Sequence, residues 1–175
     1  GVGNIDGITF MSFDDQAQNT TSSQVAYLII RNFQRSGISA GYARGSVFEG
    51  LEIYGNGRHG LVLLGNSEAN PRTIRIGGSQ IDQRNLIYGN GLDGISIIAD
   101  SSSYRSQLQN IDILNNYIGT SNGTTDNGNS GNGIYLENTF GVIIGDATGA
   151  TRNVISGNNG DGIKITGRAA YANEV

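Results

Sequence analysis

One pattern recurs six times along the chain: a glycine, then an apolar, a variable and an apolar position. It reads Gly7-Ile8-Thr9-Phe10, Gly37-Ile38-Ser39-Ala40, Gly60-Leu61-Val62-Leu63, Gly94-Ile95-Ser96-Ile97, Gly133-Ile134-Tyr135-Leu136 and Gly162-Ile163-Lys164-Ile165. Alternation with a period of two marks a strand with one buried face. The middle residues Thr9, Ser39, Val62, Ser96, Tyr135 and Lys164 then face outward. A second element precedes each glycine at a fixed distance. Ile30, Ile53, Ile87 and Ile155 each lie seven residues before the next repeat's glycine, and Ile118 lies fifteen before Gly133. The excess, fifteen minus seven, is a polar and glycine-rich insertion of eight residues, Ser121–Gly128. Alternating segments at Thr73–Ile76, Asn110–Leu114 and Gly141–Ile144 supply a third strand.

Residues 74–97 and 142–165 align without gaps at a spacing of 68, with 11 of 24 positions identical. Two circuits fill that spacing, whereas the shortest circuit, Ile30 to Ile53, takes 23 residues. Three short strands on such a period predict a solenoid. Each strand pairs in parallel with its counterpart one circuit on, about 4.8 Å away, so about six circuits make a rod roughly 25–30 Å long. The crossover preference makes the coil right-handed. The predicted fold is all-β, a single-stranded right-handed parallel β-helix of about six circuits with three short strands each. It forms one domain over residues 1–175, read as a segment of a longer chain.

Composition agrees. The chain has 28 glycines, 20 asparagines and 22 isoleucines, but one proline and one lysine. That excludes a helical bundle, which draws on Ala, Leu, Glu and Lys, and collagen, which needs a glycine period with abundant proline. The many β-branched residues exclude disorder. Net charge is −4 and the arginines are scattered, so no basic stripe exists for nucleic acid. There is no cysteine, which fits a bacterial or archaeal protein better than a small secreted eukaryotic domain. The longest apolar run, Val25 to Ile30, is too short for membrane insertion. The chain starts at Gly1 without a leader, as expected of a processed chain or an excerpt.

The runs Arg84-Asn85-Leu86-Ile87-Tyr88-Gly89-Asn90, Asn116-Tyr117-Ile118-Gly119-Thr120 and Arg152-Asn153-Val154-Ile155-Ser156-Gly157-Asn158 resemble known repeats. They are similar to the pectate-lyase-like right-handed β-helix superfold, and to β-helix repeat regions of large bacterial surface and secreted proteins. The likeness is strongest over residues 51–168. It implies the fold; the activity stays open, because this scaffold carries lyases, hydrolases, epimerases, phage tailspikes and adhesins alike.

In such a coil, aligned positions become columns of side chains. Ile30, Ile53, Ile87, Ile118 and Ile155 form an inward column. Two residues earlier come Leu28, Leu51, Asn85, Asn116 and Asn153, whose last three members form an Asn ladder, since a buried amide must be bonded. The position before the strand glycine reads Asp6, Ser36, His59, Asp93, Asn132 and Asp161. His59, the sole histidine, then sits one circuit from Asp93, and the two are the catalytic candidates: a histidine beside a carboxylate can act as a general base. The competing reading is a polar turn ladder, the ordinary work of Asp and Asn.

The resemblance brings two enzyme templates. Hydrolases on this fold use Asn-x-Asp, an Asp pair, Gly-His-Gly and Arg-x-Lys segments. Asn4-Ile5-Asp6-Gly7, Asp14-Asp15 and Arg58-His59-Gly60 echo the first three, but Asp6 and Asp14 share one circuit and Arg72-Thr73-Ile74-Arg75 lacks the lysine. Pectate-lyase-type elimination needs calcium held by several carboxylates. Asp126 in the insertion is the candidate ligand, and the other acids, Asp82, Asp100, Asp112 and Asp146, are dispersed. No cofactor is expected, and the spacing of these acids does not match a calcium-binding loop, so calcium is not indicated. Arg75 and Asp112 are predicted axial neighbours forming a ladder ion pair.

Tyr54 and Tyr88 follow the inward isoleucines and stack on neighbouring circuits. They are the ligand-binding candidates for a sugar face, although cross-strand aromatic pairs also stabilise a sheet by ~0.2–1 kcal/mol. The function expected is a structural or adhesive repeat segment of a large extracellular or cell-surface protein, contacting glycans or partner proteins. The alternatives are a polysaccharide lyase or glycoside hydrolase, and a phage tail spike or fibre. The open ends of a solenoid require flanking repeats or another protein chain. Residues 1–24 form an irregular first circuit, and Ala172-Asn173-Glu174-Val175 opens another strand.

Overall fold

The computed structural model describes residues 4–10, 23–41, 43, 45–65, 73–99, 109–146, 149, 151–167 and 173–175. The first circuit consists of β1 (Ile8–Phe10), β2 (Gln24–Ala26) and β3 (Ile29–Arg31). The second is β4 (Ile38–Gly41), β5 (Val47–Glu49) and β6 (Glu52–Tyr54), and the third β7 (Leu61–Gly65), β8 (Ile74–Gly77) and β9 (Leu86–Tyr88). The fourth is β10 (Ile95–Ala99), β11 (Gln109–Leu114) and β12 (Tyr117–Ile118), and the fifth β13 (Ile134–Glu137), β14 (Phe140–Ile144) and β15 (Val154–Ile155). β16 (Ile163–Thr166) begins the sixth.

Every third strand joins the same sheet. Sheet A runs β1-β4-β7-β10-β13-β16, sheet B β2-β5-β8-β11-β14 and sheet C β3-β6-β9-β12-β15, all parallel. This is the right-handed parallel β-helix that the repeat predicts. The register also follows the offsets: Ile30 pairs with Ile53, Ile53 with Ile87, Ile87 with Ile118 and Ile118 with Ile155. Among the described residues the only helical element is a 3₁₀ turn at Ile81–Gln83.

The core is a stack of isoleucine, leucine and valine pointing inward from three sheets. Ile53, Ile87 and Ile118 are fully buried, as are Ile95, Ile97, Ile111 and Ile113. One expectation changes at the ends of the stack. Ile155, a member of the inward column, is only half-buried because it lies in the last strand of its sheet, and at the other end Leu28 is 46 % exposed. The strand glycines are explained by close approach. A Cβ on Gly94 would lie 2.9 Å from the Gly133 carbonyl oxygen and 2.7 Å from Ile118 Cγ2, closer than side chains pack. The asparagine excess has a second cause in the backbone conformation. Asn32, Asn110, Asn115 and Asn138 adopt positive φ, four of the five non-glycine residues described that do so. Asparagine tolerates that region better than other side chains.

The insertion Ser121–Gly128 lies at the surface, each residue exposed or half-buried, yet it is tied into the backbone ladder. Gly89 N–H donates to the Asn127 carbonyl at 2.8 Å, and Asn127 N–H donates to the Gly119 carbonyl at 3.1 Å. Asn127 thus relays the ladder between two circuits. Removing eight residues nonetheless restores the regular turn, and the cut decides the outcome. The second residue after the inward isoleucine is a left-handed glycine in the regular circuits: Gly55 (φ 64°), Gly89 (φ 61°) and Gly157 (φ 73°). Deleting 121–128 would put Thr120 there; deleting 120–127 would put Gly128 there. A β-branched residue in that region costs about 1–3 kcal/mol. The second deletion is therefore expected to melt at the higher temperature, and equal melting temperatures would contradict the turn geometry.

Candidate functional site

Two asparagine ladders run along the rod axis. In the first, Asn85 Nδ2 donates to Phe48 O (2.9 Å) and to Asn116 Oδ1 (2.9 Å), and Asn85 Oδ1 accepts the Leu51 N–H (2.9 Å). Asn116 Nδ2 donates to Ile76 O and to Asn153 Oδ1, each at 3.0 Å. The second ladder comprises Asn56, Asn90, Asn129 and Asn158, linked Nδ2 to Oδ1 at 3.0, 2.9 and 2.8 Å. The Phe33 N–H starts it by donating to Asn56 Oδ1. Each internal rung directs its Nδ2 at one or two backbone carbonyls and one neighbouring rung, which is how fully buried amides are held without water.

The column containing the catalytic candidates is a third ladder. Asp6 Oδ1 accepts the Ser36 N–H (2.8 Å), Asp93 Oδ1 accepts both the Asn132 N–H and Asn132 Nδ2 (2.7 Å each), and Asn132 Oδ1 accepts the Asp161 N–H (3.0 Å). His59 Nδ1 lies 3.2 Å from Asp93 Oδ2, as the spacing anticipated. The distance is that of an ion pair, but the ring nitrogen is not aligned for a hydrogen bond to the carboxylate. Burial pushes the Asp93 carboxyl up, and the nearby His59 ring together with the two Asn132 donors outweighs it, leaving its pKa below the ordinary value. Asp93 is therefore an ionised carboxylate committed to the turn of the next circuit. Asp14 and Asp15 lie outside the described residues.

A depressed carboxyl contributes stability at pH values above its unfolded pKa, about 3.9, and loses it as pH falls through the folded value. Asp93→Asn keeps an acceptor for Asn132 and removes the charge beside His59. The urea midpoint gap between wild type and this variant is expected to be present at pH 5 and to shrink by pH 2.5. A gap that widens on acidification would contradict the sign.

Tyr54 and Tyr88 stack on the outer face of sheet C, with centroids 5.0 Å apart and planes 5° from parallel. Arg31 lies 5.7 Å from the Tyr54 ring centre, and its Nη1 donates to the Tyr54 hydroxyl (3.1 Å). Tyr88 donates to Glu52 Oε1 at 2.6 Å; burial, then that carboxylate, raises its phenol above the ordinary tyrosine range. One circuit on, the Arg84 guanidinium sits 4.0 Å from the Tyr117 ring centre and forks onto Asn115 Oδ1. The Tyr54 ring is stacked on Tyr88 and flanked by Arg31. The face therefore offers ring edges, hydroxyls and charged hydrogen-bonding groups more than a bare stacking platform.

The remaining acids differ from expectation in one respect. Asp112 is the register neighbour of Arg75, but Arg75 Nη2 pairs at 2.8 Å with Glu49 Oε2, one strand earlier and diagonal. Gln24 Nε2 holds the other Glu49 oxygen at 2.7 Å. Burial raises the Asp112 carboxyl against the opposing pull of Arg75. Asp126 is exposed, and its Oδ1 accepts the Gly128 N–H at 3.3 Å. Among the described residues no three His, Cys, Asp or Glu gather where they could hold a metal. No described helix is long and apolar enough to cross a membrane. Comparison of the chain with protein families, curated proteins and solved structures finds no match.

Proposed function

We propose that the chain is a structural, adhesive repeat segment of a large extracellular or cell-surface protein. The observation that carries this reading is the use made of its polar columns. The side chains best suited to chemistry, Asp93 above all, hold the turns of neighbouring circuits together. The outer face of sheet C, with Arg31, Glu52, Tyr54 and Tyr88, is the surface that contacts a glycan or partner protein. The His59–Asp93 contact is the one feature favouring a carbohydrate-active enzyme instead. The test is a polyuronate β-elimination assay run beside a glycan array. No unsaturated product is expected, and array binding should be lost on Tyr88→Ala in a protein that still melts cooperatively. Product formation abolished by Asp93→Asn would overturn the proposal.

A further inference from the structure

The last circuit differs from the others in what covers it. Leu136 is fully buried, whereas Ile165, its partner one strand on, is 41 % exposed. Ile118 and Ile134 are sealed, whereas Ile155 and Ile163 are half-buried. Ile144, Ile155, Ile163 and Val175 line a cavity of about 470 Å³, which is the open mouth of the core.

Three residues of this circuit are of the type that a neighbour on top would demand. A Cβ on Gly60, Gly94 or Gly133 would meet the next circuit's glycine carbonyl oxygen at 2.7, 2.9 and 2.6 Å. At Gly162 the nearest atom is Ile155 Cγ2 of the same circuit, at 3.8 Å, so nothing described requires glycine there. Asn116 and Asn129 each direct Nδ2 and the backbone N–H at the next rung's Oδ1. Asn153 and Asn158 keep the amide, and their Nδ2 groups donate backward, to Ile113 O and to Ile118 O. Among the described residues neither has a forward acceptor. The terminal rung thus has the sequence of an internal one.

We propose that a further Asn-type circuit, continuing this chain's own solenoid, stacks on this end. It places side-chain amide oxygens over Asn153 and Asn158 and a glycine over Gly162. The inference rests on the repeat-segment reading and specifies its partner. Its starting height is already set in sheet B. Glu174 N–H donates to Val142 O and Ile144 N–H donates to Glu174 O, each at 2.9 Å, in a parallel bridge opposite Ile143. A second copy stacked head to tail does not fit this chemistry. The first circuit carries Leu28 and Phe33 in the two Asn columns, and neither side chain can accept the waiting donors.

The test extends the chain after Val175 with a second copy of residues 114–144, whose copies of Asn116, Asn129 and Gly133 fall over Asn153, Asn158 and Gly162. A matched extension carries leucine in place of both asparagines. Backbone hydrogen exchange is followed at Asn153, Asn158 and Gly162, with mass by light scattering. The Asn extension is expected to slow exchange at these amides by about tenfold or more as local opening is suppressed, with the protein monomeric. Gly162→Ala should be tolerated in the original chain and should undo the protection in the extended one. Unchanged exchange, equal protection by the leucine extension, or head-to-tail association of the original chain that protects Asn158 would each overturn the proposal. Polysaccharide turnover would overturn the functional reading without moving these exchange rates, so the two failures are distinguishable.

Discussion

Ile87→Ala is expected to lower the unfolding free energy by about 2–5 kcal/mol, the range for truncating a buried aliphatic side chain. Ile87 is fully buried between Ile53 and Ile118 in the column on sheet C. It also underlies the neighbouring sheet, since its Cγ2 would lie 2.5 Å from a Cβ placed on Gly60. Neither neighbouring circuit can close the gap, because each is fixed by its own backbone ladder. The same truncation at Ile155 should cost clearly less, since that residue is half-buried and water already reaches its circuit. Urea midpoints of the two variants check the ordering, and equal losses would contradict the stacking order.

The second large effect lies in the polar interior. Asn116→Ala removes an amide that is fully buried. It takes a donor from the Ile76 and Leu114 carbonyls and removes one of the two acceptors of Asn85 Nδ2. Each buried polar group left unmet costs about 1–3 kcal/mol, so a loss on the order of 2–5 kcal/mol is expected. Asn116→Leu separates amide chemistry from volume. Leucine already occupies this column at Leu51, which is buried, so the site accepts its shape. The leucine variant should still be strongly destabilised, because its neighbours at this height are amide rungs. Thermal or urea melts of both variants decide this. A leucine variant as stable as wild type would mean that the ladder fills space and does little more.

These effects show how far the sequence reaches. The seven-residue offsets from Ile53 and Ile87 to the following glycines determine sheet register directly, because parallel pairing at constant turn length admits one alignment. The Asn85–Asn116–Asn153 column follows from the same offset. The Asn56–Asn90–Asn129–Asn158 ladder was equally legible and was missed. Each member lies three residues after an inward isoleucine, once the eight inserted residues before Asn129 are removed. Other features were not legible in the offsets. Arg75 has Asp112 beside it in register and Glu49 diagonally placed, and the choice depends on which way a long side chain leans. The relay through Asn127 depends on how the insertion folds back, which its polar composition does not encode. For His59 and Asp93 the column position was readable, whereas the commitment of Asp93 to Asn132 emerges only from the packed turn.

The central claim is that buried polar columns serve the rod's cohesion. The most direct measurement is exchange of the side-chain amide protons of Asn85, Asn90, Asn116 and Asn129, resolved by NMR on the intact chain. Carboxamide protons bonded in a solvent-free ladder open only with the local structure around them. The account predicts that these four resist exchange far longer than the exposed carboxamide of Asn122. Exchange of all five at the same fast rate would contradict it.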